Sequence, residues 1–153
     1  MLTLGIGDDC AIIKPARGEE LLITTDLSLE NVHFRRDWHP PESIGHRCLA
    51  RGLSDLAAMG ARPEAALLSL ALPPELRGRW MERFFDGLLA LALRYSVPLA
   101  GGDIAQSPAR GHDARRGLAM ADMVLLGSAA AGCGMRRSGA QPGDGIYVTG
   151  ALG

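Results

Sequence analysis

Apolar stretches of several residues divide the chain into predicted strands. The segment 21–26 begins with three apolar residues, ends in Thr-Thr-Asp, and predicts a strand with a polar end. The nearly uninterrupted apolar segment 65–72 predicts a buried strand, and residues 118–126 predict another. Shorter segments at 97–100 and 146–149 predict two further strands.

Two longer segments have the apolar spacing of helices. Proline in the first turn favours a helix that begins at residues 40–42, and Gly60 provides its C-terminal stop. A second helix is predicted over residues 75–95. The apolar faces consist of Ile44, Cys48, Ala50, Leu53, Leu56 and Ala57 in the first helix and Trp80, Phe84, Leu88 and Leu91 in the second.

The mixed order of strands and helices predicts an α+β fold or an open α/β sheet, with strand pairing left open. The 153 residues suit one domain, 1–153. Residues 107–117 are polar and predict a mobile loop. The chain ends in the glycine-rich segment 150–153 directly after a predicted strand, which we interpret as a cut ahead of a second domain.

Composition narrows the class of protein. Hydrophobic residues make up 47%, charged residues 22%, and the net charge is −1, so a nucleic-acid surface is not indicated. No apolar run reaches membrane-spanning length, and the start of the chain has no basic segment of a signal peptide. The three cysteines are widely separated, which favours reduced thiols and a cytoplasmic location.

Carboxylates recur at the predicted ends of strands and in glycine-containing turns. Asp8, Asp9, Asp26 and Asp103 lie in such positions, and Asp55 lies within the apolar first helix. If the fold brings them together, their repulsion requires cations, and Mg²⁺ with its phosphate ligands suits such oxygen donors. Each acid has an alternative role as a cap or turn residue. For Asp55 the alternative is an ion pair with the residue four positions earlier, Arg51.

Phosphate binding would need donors other than a P-loop. No G-x-x-x-x-G-K-[ST] segment occurs, Lys14 is the only lysine, and the protein-kinase motifs are absent. Arg137 is a candidate anion contact or, alternatively, part of a solvated basic turn. His33 follows the Thr-Thr-Asp segment and is a candidate substrate contact or general base, or else a structural histidine.

Taken together and in order, these segments resemble the thiamine-monophosphate kinases. The matching segments are Gly5-Ile6-Gly7-Asp8-Asp9-Cys10-Ala11, Thr24-Thr25-Asp26 with Val32-His33-Phe34, Leu53 to Ala61, Gly101-Gly102-Asp103, Arg137 to Asp144 and Tyr147 to Gly150. Single motifs such as Gly-Gly-Asp have little specificity. The Ser-Asp-Leu-Ala-Ala-Met-Gly run at 54–60 is the most distinctive, and the match covers almost the whole chain.

The resemblance implies an α+β fold with a mixed β-sheet packed by helices. This would be the N-terminal ATP- and magnesium-binding domain of the superfamily of aminoimidazole ribonucleotide synthetase and selenophosphate synthetase. It implies a homodimer paired through the sheet, the family's C-terminal domain being absent from this chain. The implied reaction is phosphoryl transfer from ATP to thiamine monophosphate, which gives thiamine diphosphate and ADP.

The resemblance also implies roles for individual residues. Asp9, Thr25, Asp26, Asp55 and Asp103 would bind Mg²⁺, with Asp8 close by. The nucleotide would contact Thr24, Gly102, Asp103 and Arg137, with Tyr95 a weaker candidate whose alternative is to extend the apolar stripe of the second helix. His33 would contact thiamine monophosphate, and no catalytic residue is assigned. The segment 110–116 looks like an insertion relative to the family.

Two alternatives remain at the level of sequence. The chain could be another ATP-using synthetase of the same superfamily, although the Val-His-Phe and Ser-Asp-Leu segments favour the thiamine kinase. It could also be an isolated module that binds nucleotide or dimerises without turnover. We expect the 153 residues alone to have little or no activity.

Overall fold

Six strands and two α-helices make up the regular structure of the part of the chain that is described. A computed structural model of the protein describes residues 2–108, 117–148 and 150–151. The elements are β1 (Leu2–Leu4), β2 (Ile12–Ile13), β3 (Glu19–Leu29), α1 (Pro41–Ala58), β4 (Arg62–Leu72), α2 (Arg79–Arg94), β5 (Leu99–Gln106) and β6 (Met120–Ala130). Most of the predicted mobile loop, including the apparent insertion at 110–116, lies outside the described residues.

Four of the strands form one mixed sheet in the order β3-β6-β4-β5. Strand β6 runs antiparallel to both β3 and β4, whereas β4 and β5 are parallel and are connected through α2. The short strands β1 and β2 pair separately with each other. The prediction of a mixed sheet packed by helices is confirmed.

The helices cover one face of this sheet. Alternate residues of the strands point to that face, where they pack with the apolar sides of both helices. The buried core includes Ile44, Cys48, Leu49, Leu56, Leu68, Leu70, Leu72, Phe84, Leu88, Met123 and Leu125. The opposite face of β3 carries Leu21, Ile23 and Leu27, whose exposed fractions are 39%, 66% and 51%. This second face is called the open sheet face below.

Helix α1 begins and ends where its sequence indicates. Pro41 occupies the first helical turn, where a missing N–H has no cost. Gly60 follows the helix with φ of 69°, a left-handed conformation that glycine adopts without a steric penalty. Glycine also permits the contact between the helices: a Cβ on Gly45 would lie 1.9 Å from the Phe84 carbonyl oxygen, and one on Gly87 would lie 1.9 Å from the Glu42 carbonyl oxygen.

Several predicted boundaries were wrong. The second helix begins at Arg79 rather than residue 75, because Pro74–Leu76 forms a separate 3₁₀ turn. The strand predicted at 97–100 instead begins at Leu99 and continues through Gly-Gly-Asp, so Asp103 lies within β5 and not at a loop tip. Asp26 likewise lies inside β3, which extends to Leu29. Residues 146–148 form no strand.

Within the described residues, neither helix combines the length and the apolar character that crossing a membrane would require.

Candidate functional site

Strand β3 distributes the Thr-Thr-Asp segment over both faces of the sheet. Because side chains alternate along a strand, Thr24 and Asp26 share one face and Thr25 points to the other. Thr24 and Asp26 face α1, where Thr24 Oγ1 donates a hydrogen bond of 2.7 Å to Asp55 Oδ2. Asp26 Oδ1 lies 2.7 Å from Arg51 Nη2. Arg51 therefore pairs with Asp26. The alternative considered from the sequence, an ion pair between Arg51 and Asp55 within the helix, is not formed.

A cavity of about 530 Å³ lies beside the Thr24–Asp55 contact. Its polar lining comes from three separate segments: Thr24 from β3, Asp55 from α1, and Arg136 and Arg137 from the segment that follows β6. That last segment is held against the end of α1, where the Met135 N–H donates to the Met59 carbonyl at 3.0 Å. We call this the Asp55 cavity. It brings a hydroxyl, a carboxylate and guanidinium groups to one concave surface.

A second concave surface, the Asp103 cleft, lies along strand β5 at the edge of the sheet. It measures about 400 Å³ and is lined on one side by residues 6–9 and on the other by residues 99–104. Asp8, Asp9 and Asp103 are thus brought to one cleft, and the Asp9 N–H donates to Asp8 Oδ1 at 2.9 Å. Gly102, at φ of 145°, could not carry a Cβ, which would lie 1.9 Å from the Leu68 carbonyl oxygen. Backbone packing alone therefore requires this glycine.

Thr25 has its partner on the open sheet face. Its Oγ1 donates a hydrogen bond of 2.8 Å to Asp122 Oδ1. The register places Asp122 opposite Ser69 of β4, and Ser69 opposite Asp103 of β5. Asp103 and Asp122 consequently line the same shallow groove of about 190 Å³. Thr25 is separated by the sheet from Thr24, Asp26 and Asp55.

His33 lies in the turn that follows β3 and lines a cleft of about 440 Å³, together with Trp38, His39 and Arg47. The Leu29 N–H donates to His33 Nδ1 at 3.0 Å, so a neutral His33 ring carries its proton on Nε2. The turn is anchored by Glu30, which is 5% exposed, ion-pairs with Arg36 and accepts the Ala119 N–H at 2.8 Å. His33 therefore uses Nδ1 for a hydrogen bond within its own turn, whereas the predicted contact with substrate would use Nε2.

The oxygen donors of these surfaces suit a magnesium ion whose remaining ligands are phosphate oxygens and water. Within the described residues, no three side chains from histidine, cysteine, aspartate and glutamate are grouped as a metal site. The oxygen donors occur instead as one carboxylate beside a hydroxyl group in the Asp55 cavity, and as the carboxylates of Asp8, Asp9 and Asp103 along the Asp103 cleft. Mg²⁺ in nucleotide sites is typically held in this way, with the phosphates and water as its remaining ligands. The chemistry of the donors thus suits a magnesium–nucleotide complex.

Other candidate groups take less part in these surfaces. All three cysteines are unpaired, and burial raises the pKa of the Cys48 thiol, which makes it a poor nucleophile at neutral pH. Tyr95 lines a separate cleft between α1 and the end of α2, where Arg94 lies 5.7 Å from its ring.

Asp122 had no assignment from the sequence, and Arg51 was assigned to a different partner. Asp122 meets Thr25 only because β6 pairs with β3 in one register, and a single sequence contains no signal for that register. Arg51 was considered as an ion-pair partner of Asp55, because one helical turn separates the two residues. Its actual partner depends on how α1 packs on β3.

Comparison with known proteins identifies the class. Residues 7–127 match the family model of the N-terminal domain of AIR synthase related proteins, which covers most of the chain. The chain therefore belongs to this family, and the fold and the resemblance noted above agree with it. The hydrogenase maturation protein HypE in complex with ATP has the same fold, with a TM-score of 0.63 at 22% identity.

Within this class, the chain is similar to thiamine-monophosphate kinases. It is 40% identical over 147 residues to the enzyme of Synechococcus elongatus and 41% identical over 150 residues to that of Escherichia coli K12. These alignments cover 96% and 98% of the chain, but the chain spans only 42% of the length of either relative.

Solved structures of thiamine-monophosphate kinases are also similar to this chain. The crystal structure of thiamine-monophosphate kinase from Stenotrophomonas maltophilia K279a has a TM-score of 0.74 at 37% identity and covers 89% of this chain and 39% of its own. A complex of AaThiL with AMPPCP and TMP has a TM-score of 0.66 at 33% identity, and covers 82% of this chain and 37% of its own.

Proposed function

We propose that this chain is the nucleotide-binding, N-terminal part of an enzyme that transfers a phosphoryl group from ATP to thiamine monophosphate. The observation that carries the proposal is the Asp55 cavity, which unites Thr24, Asp55 and Arg137 from three distant segments. The similarity to thiamine-monophosphate kinases, one of them in complex with AMPPCP and TMP, supports ATP and thiamine monophosphate as the substrates.

The residues of the Asp55 cavity suit a magnesium–phosphate complex. Asp55 and Thr24 would offer oxygen ligands, and the Arg137 guanidinium would bind phosphate oxygens through charge-assisted hydrogen bonds. Asp9, Asp26 and Asp103 would be further magnesium ligands, and Gly102 and Asp103 would border the nucleotide. Thr25 lies on the opposite face of β3 from Asp26 and Asp55, so it would act as a magnesium ligand beside Asp103 and Asp122 on the open sheet face. Mg²⁺, when bound, neutralises charge on the phosphates.

The proposed reaction needs no strong general base. The bond between the γ-phosphorus and ADP breaks, and a bond forms to a phosphate oxygen of thiamine monophosphate. That acceptor oxygen is already ionised near neutral pH. The protein's contribution is then to position the two phosphates and stabilise their charge. In this scheme the His33 Nε2–H would donate to the acceptor, in keeping with the hydrogen bond that occupies Nδ1.

We further propose that the open sheet face pairs with a second copy of the chain. Leu21, Ile23 and Leu27 expose apolar surface along one edge strand of the sheet. A symmetric pairing of two such faces would remove this surface from water. The cytoplasmic location expected from the cysteines stays a prediction.

Calorimetric titration with ATP, with and without Mg²⁺, tests the nucleotide proposal. The original chain should bind ATP in a magnesium-dependent manner, and Asp55→Asn should lose that dependence. Asp86→Asn is the matched control, because Asp86 is an exposed carboxylate on α2 that lines none of the described surfaces. Equal magnesium-dependent binding by Asp55→Asn and the original chain would contradict the proposed role of the Asp55 cavity.

Turnover is a separate question from binding, because the chain spans 42% of the length of its relatives. A module that binds nucleotide without turnover is the alternative function. Formation of thiamine diphosphate by the purified chain would exclude it.

A further inference from the structure

The carboxylate of Asp26 forms an ion pair with a side chain of the protein itself, the guanidinium of Arg51. Arg51 Nη2 lies 2.7 Å from Asp26 Oδ1, and the two side chains are only 31% and 15% exposed. Arg51 Nη1 donates to the Leu27 carbonyl at 2.9 Å and to Ser28 Oγ at 3.2 Å. Three contacts therefore fix this guanidinium against β3, unlike a freely moving surface arginine.

The Asp26–Arg51 pair lies next to the Thr24–Asp55 pair. Thr24 and Asp26 are two residues apart on the face of β3 that meets α1, and Arg51 and Asp55 are one turn apart on α1. Each strand residue contacts one helix residue, both at 2.7 Å. The positive charge of Arg51 is consequently built into the same strand–helix contact that presents Asp55 to its cavity.

We propose that Arg51 is a positioning residue that neutralises Asp26 and competes with a divalent cation for its carboxylate. This inference rests on the proposed function, since it concerns the magnesium that accompanies the nucleotide. The guanidinium occupies one of the two Asp26 oxygens and repels a divalent ion at the other. It also offsets the repulsion between Asp26 and Asp55 when no ion is bound.

The consequence is that free divalent ions bind weakly to the original chain. A bound nucleotide raises the affinity for the ion, because its phosphates supply both further ligands for the ion and a new anionic partner for Arg51. Arg51 thus favours binding of the ion together with phosphate over binding of the ion alone.

Manganese chloride alone, titrated by electron paramagnetic resonance of the free ion, tests this without turnover. Arg51→Met and Arg51→Gln both remove the charge, and Gln retains the capacity to donate to Leu27 and Ser28, which guards against failure of one variant to fold. Both should bind Mn²⁺ at least about tenfold more tightly than the original chain. Arg51→Lys, which keeps the charge, should bind as weakly as the original.

Two controls identify the source of a gain in affinity. Arg79→Met removes an exposed positive charge from the start of α2 and should leave Mn²⁺ affinity unchanged. The double variant Asp26→Asn/Arg51→Met should lose the gain, because the carboxylate that Arg51 occupied is no longer present. Circular dichroism melts establish that each variant is folded.

Unchanged Mn²⁺ affinity in folded Arg51→Met and Arg51→Gln would overturn the inference, as would no measurable binding by any variant. Its failure is distinct from failure of the proposed function. If the original chain binds ATP in a magnesium-dependent manner and the Arg51 substitutions leave Mn²⁺ affinity unchanged, the nucleotide proposal holds and the role of Arg51 is refuted. A gain in Mn²⁺ affinity without ATP binding would leave only the role of Arg51.

Discussion

The contact between α1 and α2 supports the site, because α1 carries both Arg51 and Asp55. Gly45 and Gly87 let the two helix backbones approach each other. An added Cβ on Gly45 would lie 1.9 Å from the Phe84 carbonyl oxygen and 3.2 Å from the Leu88 amide nitrogen. These neighbours are backbone atoms within a helix and cannot rotate away, so Gly45→Ala must push the helices apart.

The size of the effect follows from this geometry. Contacts of a Cβ below 3.0 Å essentially never occur in real structures, so the backbones must separate by about 1 Å. Overpacking of this kind costs about 1–3 kcal/mol, and separation also loosens Phe84 and Leu88, each 1% exposed. Alanine regains about 1 kcal/mol of helix propensity. We expect a net loss of about 1 kcal/mol, equivalent to a Tm lower by about 2–4 °C for a chain of this length.

Urea unfolding and thermal melts of Gly45→Ala measure this loss directly. Gly139→Ala is the matched control, because a Cβ at Gly139 would meet no atom within 4 Å. It should change the free energy of unfolding by less than about 0.5 kcal/mol. A Gly45→Ala variant as stable as the original chain would refute the argument, since the helices would then have room for the methyl group.

Three further predictions concern other parts of the molecule. Burial raises the pKa of Glu64, but hydrogen bonds from Ser128 and Arg62 outweigh it and hold the pKa below its ordinary value of 4.5. Glu64→Gln should therefore lower the free energy of unfolding by about 1–2 kcal/mol above pH 4.5. This difference between the variant and the original chain should disappear as the pH falls through the lower folded-state pKa of Glu64. An equal difference in the free energy of urea unfolding at pH 7 and pH 3 would contradict this. Ile23→Lys on the open sheet face should weaken self-association at least about tenfold by sedimentation, and an unchanged dimer would place the interface elsewhere. Arg137→Ala should weaken magnesium–ATP binding about tenfold by calorimetry while Arg79→Ala does not, and equal losses would indicate a general charge effect.

Prediction from sequence succeeded where short-range signals were strong. Proline in the first turn and a glycine after the last were enough to delimit α1, because both act on the local backbone. It failed at β5, where Gly-Gly-Asp was taken for a turn. That strand continues because it pairs in parallel with β4, and Gly102 is needed there to let the two backbones approach.

The candidate site shows the same division. Sequence singled out Thr24, Asp55 and Arg137, and the structure brings them to one cavity. Asp9 and Asp103 were also singled out, and they lie together in a separate cleft. Whether these residues bind magnesium and nucleotide stays a prediction.

By itself, the sequence determined the α+β class, the bounds of α1 and an ordered set of motifs that defines the family, because propensities, caps and motif order are properties of the linear chain. Only the tertiary structure decided that Thr24 faces α1 while Thr25 pairs with Asp122, and that Arg51 neutralises Asp26. Alternation along β3 separates neighbouring side chains, but the face that a helix covers and the register of β6 arise from contacts between residues far apart in the chain. Those long-range contacts assign the partner of each carboxylate.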